Sequence, residues 1–117
     1  MIRKNVFGAP KEWVVAHHGE GKIAFCRPFE DKDAETDLSF VDYVELPPGA
    51  SIGVHTHGDN EEVYFIVDGT GTMHTNGEDA RVSSGDLIFN RRGWTHGLRN
   101  DSAAPLKVLV WETAYRA

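Results

Sequence analysis

The sequence predicts an all-β fold. Short β-rich segments recur along the chain with glycine, proline or asparagine between them. Asn76-Gly77 separates two such segments as a type I′ hairpin signal, because both turn positions need positive φ. No stretch holds an apolar period of 3.6 residues for three turns, so a helical core has no support. Many short strands joined by sequential hairpins argue for a sandwich or barrel.

The elements follow in chain order. Residues 1–22 are mixed, with Trp13-Val14-Val15-Ala16 as a short strand and His17-His18-Gly19-Glu20-Gly21 as a turn. Ile23 to Phe29 reads as a second strand, and Asp31 to Asp37 as a charged, solvated loop. Phe40 to Leu46 is β-rich and Pro47-Pro48-Gly49 ends it. Ile52 to His57 and Glu62 to Val67 are strands, and Gly69 and Gly71 punctuate the bend that follows. Thr72 to Thr75 runs into Asn76-Gly77, and Arg81-Val82 leads to a turn at Ser84-Gly85-Asp86. Leu87 to Phe89 is a strand and Arg91-Arg92-Gly93 a loop; His96 to Arg99 and Leu106 to Glu112 complete the set.

The 117 residues suit a single domain spanning 1–117, with no boundary, repeat or low-complexity tract inside it. Hydrophobic residues at 40% and charged residues at 26% describe a soluble globular chain rather than a disordered one. The formal net charge of −6 repels a phosphate backbone or an anionic membrane, and Arg91-Arg92 is too small a basic patch to reverse that. Neither nucleic acid nor membrane is an expected partner. No apolar run approaches the ~20 residues of a bilayer span, and the first residues lack the apolar stretch of a signal peptide. Cys26 is the single cysteine, which excludes an intrachain disulfide and fits a reducing compartment. The expected location is the cytoplasm.

His55-Thr56-His57 is the first chemical signal. Residues i and i+2 of a strand share a face, so both imidazoles leave the same surface. After Gly58-Asp59-Asn60, a strand opens with Glu61 and Glu62, which alternation sends to opposite faces; one of them can join the imidazoles. A further hairpin region contributes His96. Three neutral nitrogens and one carboxylate make a good site for a divalent transition metal, with positions left for water, substrate or dioxygen.

These residues resemble the cupins, in particular the small single-domain conserved-barrel members. The family's first motif runs Gly, five residues, His, one, His, three or four, Glu, six, Gly. Gly49, His55, His57, Glu62 and Gly69 match it throughout, and the motif selects Glu62 over Glu61. The second runs Gly, five, Pro, one, Gly, two, His, three, Asn. Gly85, Gly93, His96 and Asn100 match it, and Arg91 replaces the proline, a change that costs loop rigidity and no ligand. The motifs span residues 49–100. The resemblance implies a double-stranded β-helix, or jelly-roll-like barrel, often dimeric, with residues 1–40 as N-terminal strands and loops at a possible dimer interface. It implies a metal held by His55, His57, Glu62 and His96, commonly iron or manganese, with nickel, cobalt, copper or zinc also seen.

Around that site, Tyr64 shares the strand face of Glu62 and is a candidate to hydrogen-bond a substrate, or simply to fill the barrel. Ile66, on the same face, is expected to line the pocket, and Trp94 to wall its opening. Arg91 is a candidate to clamp a substrate carboxylate, or a plain solvated charge. His17 and His18 read as an exposed loop, His74 as a surface or half-buried structural residue, and Cys26 as a small buried hydrophobe. Asn100 is expected to satisfy backbone groups in a turn. Two functions fit. One is an enzyme of dioxygenase or decarboxylase type acting on a small carboxylate or diol; the other is a module that binds metal or metabolite without turnover.

Overall fold

The computed structural model describes residues 1–115. They form β1 (Glu12–Val14), β2 (Ile23–Glu30), β3 (Leu38–Leu46), β4 (Ser51–Thr56), β5 (Asn60–Asp68), β6 (Thr70–Thr75), β7 (Glu78–Ser83), β8 (Leu87–Asn90), β9 (Thr95–Arg99) and β10 (Leu106–Ala114). A single 3-10 turn, Asp31–Asp33, lies inside the charged segment expected to be loop. Every ladder between these strands is antiparallel, so the all-β expectation holds. No helix among the described residues is long and apolar enough to cross a membrane.

Two sheets make the barrel. One has six strands in the order β1-β2-β3-β10-β5-β8, the other four in the order β4-β9-β6-β7. Their inner faces follow from alternation. Glu62, Tyr64 and Ile66 of β5 are buried while their neighbours are half-exposed, and Leu106, Val108 and Val110 of β10 repeat the pattern. Ile66, Leu106 and Val108 from the larger sheet meet Met73 and Leu98 from the smaller one in a common core. In β3, Asp42, Tyr43 and Val44 are buried in succession. Tyr43 is covered on the outer face by the N-terminal segment, where the Phe7 ring meets it edge-on at 5.6 Å.

Local chemistry sets the boundaries. Asn76 and Gly77 both take positive φ, and Thr75 pairs with Glu78 across the two-residue turn the dipeptide announces. β5 begins earlier than its apolar run because Asn60 and Glu61 extend the ladder to Ala114 and Thr113. Gly71 lies within β6 rather than in a bend; a Cβ there would press on the Arg99 carbonyl and the Leu106 side chain.

Asn100 closes the end of the barrel. Fully buried, its amide donates to the carbonyls of Leu46 and Ala104, both at 2.8 Å, and its oxygen accepts from the Ser102 amide and hydroxyl. Its backbone exchanges bonds with Gly49 and Ala50. One side chain thus ties the ends of β3, β9 and β10 together. Asn100→Ala removes the donor shared by both carbonyls, leaves Ala104 only the Ser102 hydroxyl, takes the acceptor from Ser102, and should cost about 2 kcal/mol or more. The denaturant midpoint, read at constant m-value, checks this; an unchanged midpoint would contradict it.

Candidate metal centre

His55 and His57 lie on and just after β4, Glu62 on β5 and His96 on β9. One donor atom from each lies within 4.8 Å of all the others. Glu62 and His96 are buried, and His55 and His57 half-buried.

A kink in β4 makes this convergence possible. Ile52 pairs with Leu98 and His55 with His96, so Gly53 and Val54 together oppose Gly97. Such a bulge shifts the strand's phase by one residue. Ile52 is buried, Val54 is exposed, and His55 and His57 then turn inward toward His96. Without the shift, His55 would occupy the face opposite Ile52. Gly97 suits the tight side of the bulge, because a Cβ there would press on Val54 and the Ile52 carbonyl.

The contacts fix which nitrogens face the centre. His55 Nδ1 lies 2.7 Å from the Gly53 carbonyl, to which it donates; its Nε2 is therefore the lone-pair nitrogen. His57 Nδ1 faces the Asn60 side-chain oxygen, with Glu112 Oε1 at 3.5 Å, and so presents Nε2 inward as well. The two Nε2 atoms are 3.1 Å apart, and Glu62 Oε1 is 2.9 Å from Nε2 of both His57 and His96. Lone pairs and a carboxylate crowded together repel unless a cation or proton lies between them. Neighbouring ligands about 2.1 Å from one ion sit roughly 3 Å apart, the spacing seen here. The donor set therefore fits a divalent transition metal, and His55, His57, Glu62 and His96 could hold one.

Ionisation favours the same state at His55 and Glu62 and opposes it at His57. Burial pushes His55 down to about 4, only partly opposed by its bond to Gly53, so it is neutral near pH 7. Burial opposes charge on Glu62, but the bonds and charges of His57 and His96 outweigh it and bring the carboxyl to about 2. His57 is also penalised by burial; its contacts with Glu62 and Asn60 prevail and raise it above the usual imidazole value.

A cavity of about 390 Å³ opens beside the cluster and reaches His57, Glu62 and Tyr64. Tyr64 is fully buried with its ring edge-on to His96, 5.4 Å between centroids. Burial, then the Glu62 charge, raises its phenol well above the ordinary value, so it stays protonated as a donor. Other expected pocket residues lie elsewhere. Ile66 has no exposed surface and packs within the apolar core. Arg91 is exposed and drawn to Glu61, the glutamate on the outward face, at 3.9 Å. Trp94 lines a separate depression with Glu61, Arg91, Arg92 and Tyr115. The structure thus places these three outside the lining of the cavity beside the cluster.

His17 occupies the exposed turn expected of it, yet its ring stacks on His55, 3.5 Å between centroids and 7° from parallel, and it lines the cavity. His17 and His18 both take left-handed φ, at a cost of about 1–2 kcal/mol each. The turn is held by bonds from Gly53 N to the Ala16 carbonyl and from Ser51 N to the Glu20 carbonyl. A Cβ on Gly53 would collide with the His17 carbonyl, and one on Gly19 with that of Ser51. His74 is half-buried and paired with Asp79 at 2.7 Å. Cys26 is half-buried rather than buried, its thiol pushed up by burial.

Sequence reasoning missed Arg27, Asp42 and Glu112, which also line the cavity. Arg27 grips Asp42 through two bonds of 2.7 and 3.1 Å. Glu112 lies directly opposite Glu62 across the β10–β5 ladder, and burial together with the Glu62 charge raises its pKa. Their parity was a usable signal: Asp42 shares a strand face with Phe40 and Val44, and Glu112 with Val110.

A family model described as Cupin domain matches residues 42–112. The oxalate-binding protein of Thermotoga maritima is 30% identical over 92 residues, covering 79% of this chain and 76% of that one. The tetracenomycin polyketide synthase protein TcmJ of Streptomyces glaucescens is 29% identical over 70 residues; the match covers 60% of this chain and 47% of that relative. The crystal structure of a protein described as a predicted oxalate decarboxylase from Thermotoga maritima superposes with a TM-score of 0.90 at 25% identity, covering 97% of this chain and 98% of that one.

Two outcomes follow from the geometry. Despite its burial, His57 is raised above the usual imidazole value by the Glu62 and Asn60 contacts, so protons compete for it near neutral pH, whereas burial lowers His55 to about 4. Metal affinity should therefore fall as pH drops from about 7 to about 5, measured by competitive titration with a chelator; a flat profile would contradict histidine ligation. Gly53→Ala should displace the His17 turn and disturb the carbonyl that orients His55, lowering metal affinity about 10–100-fold in the same assay. An unaltered affinity would show that the turn has no hold on the site.

Proposed function

The chain belongs to the cupin family, and on that premise we propose that it is a metalloenzyme acting on a small carboxylate or diol-type metabolite, by dioxygenase or decarboxylase chemistry. The convergence of four metal-type donors beside a cavity supports this reading. Iron or manganese is the favoured ion, with nickel, cobalt, copper or zinc as alternatives. Such an ion would supply Lewis-acid polarisation of an oxygen-donor substrate, or an electron path to dioxygen.

The chain's own groups have separate roles in this proposal. Tyr64, protonated and buried, donates a hydrogen bond to a substrate oxygen from the cavity wall. Asn60 and Gly53 orient His57 and His55 through their Nδ1 atoms. The β-barrel interior limits water access from the core side, where Ile66 and Leu98 are sealed. We take the chain to work as a cytoplasmic homodimer. Trp13 on one edge strand of the large sheet, and Leu87 and Phe89 on the other, leave apolar surface exposed in support of the dimer.

A second reading, a non-catalytic module for metal or metabolite, is favoured by the relative named for binding oxalate. One experiment separates the two. The purified chain is analysed for metal by mass spectrometry and incubated in air with a panel of small carboxylates and diols. Oxygen uptake or product formation that disappears in His96→Ala supports the enzyme. Metal-dependent binding without turnover supports the module, and failure to take up stoichiometric metal at neutral pH rejects both.

A further inference from the structure

The cavity beside the ligand cluster is larger and less polar than a bare chelating acid requires. Its volume of about 390 Å³ lies in the range of pockets that enclose ligands of drug size, about 300–1,000 Å³. Val14, Val15, Phe25, Phe40, Val44 and Val110 give it apolar walls. A two-carbon diacid would leave most of that surface uncovered.

Charge points the same way. Asp42, Glu62 and Glu112 all face the cavity, and Arg27 is the one lysine or arginine among its described lining residues. Arg27 is already committed: both arms of its fork engage Asp42, and its guanidinium lies 4.2 Å from the Phe40 ring centroid. A divalent ion at the cluster together with this guanidinium balances the three carboxylates in formal charge. A dianion entering the cavity therefore meets no spare cation, and it is brought close to Glu112, which faces Glu62 across the ladder. A ligand with one negative charge and an apolar body meets neither penalty.

We propose that the ligand of this site carries an oxygen-donor chelating head with at most one negative charge, joined to an apolar or aromatic body that fills the space between Val15, Phe25, Phe40 and Val110. The proposal rests on the metal-binding reading and narrows its substrate class. The chelating head meets the metal cluster, and the body lies along the wall built by β1, β2, β3 and β10. The Arg27–Asp42 pair sets the charge rule, acting as a specificity determinant rather than as a catalytic pair. The ligand then differs in kind from the oxalate for which one relative is named.

The test uses the full chain loaded with zinc, a redox-inert probe, and calorimetric titration with acetohydroxamate, benzohydroxamate and oxalate. The two hydroxamates share a monoanionic head and differ in body. Benzohydroxamate should bind at least about tenfold more tightly than acetohydroxamate, as burial of several apolar carbons predicts, and more tightly than oxalate. Val15→Ser, at an exposed cavity position that the fold does not need, should shrink the benzohydroxamate advantage. Asp42→Asn should free Arg27 and tighten oxalate by about fivefold or more, with retention of fold checked by circular dichroism. Equal affinity for the two hydroxamates, or tighter binding of oxalate than of benzohydroxamate by the zinc-loaded wild type, overturns the proposal while leaving the metal reading in place. Failure to load zinc overturns both.

Discussion

A buried carboxylate flanked by two imidazoles bridges this barrel's two layers at the candidate metal centre. Glu62 comes from β5 of the six-stranded sheet; His57 and His96 come from the β4 and β9 side, in the four-stranded sheet. A carboxylate that is only 5% exposed must be compensated where it lies, because its hydration has been removed. The rest of the site is organised around that requirement. The β5–β10–β3 ladders fix the depth of Glu62, and the β4–β9 pairing delivers His96 beside His55. Removing either imidazole takes away one of the two partners of that charge, so the candidate donor set and the barrel interior are linked there.

Much of this was legible beforehand because the signals were local. The Asn76-Gly77 hairpin rests on two residues that accept positive φ. Strand parity showed that only one of Glu61 and Glu62 could join the imidazoles, the motif spacing to Gly69 chose Glu62, and Asn100 takes the turn role expected of it. The missing parts depend on long-range geometry. Parity counted from buried Ile52 sends His55 outward, and the bulge that corrects it is visible only in the pairing with β9. Arg91 and Trp94 lie inside the second motif, but their loop faces Glu61 and not the cavity. His17 reaches His55 through a turn seated on two glycines far apart in the chain, a contact no local pattern encodes.

The two ends of the cavity come from different parts of the sequence. The motifs within 49–100 supply the metal donors, whereas much of the opposing wall comes from β1 to β3 and β10. This division lets one ligand cluster serve different ligands across a family, since the wall can be rebuilt without touching a donor. In this chain the wall combines aromatic and aliphatic surface with a closed guanidinium–carboxylate pair, supplied by Phe25, Phe40, Arg27 and Asp42 from outside the motifs.

The bulge at Gly53 and Val54 also divides the surrounding chain into segments that tolerate insertions and deletions and segments that do not. Between the bulge and His57, gaining or losing one residue exchanges inward for outward side chains and takes an imidazole away from Glu62. The connection at 58–59 lies outside the named strands, so added length there leaves side-chain parity unchanged but disturbs the His57–Asn60 contact and the Tyr115 N bond to the Asp59 carbonyl. Drift in chain length between the second histidine and the glutamate thus keeps the donors facing inward while loosening the hold on His57, and the same drift a few residues earlier turns a donor outward.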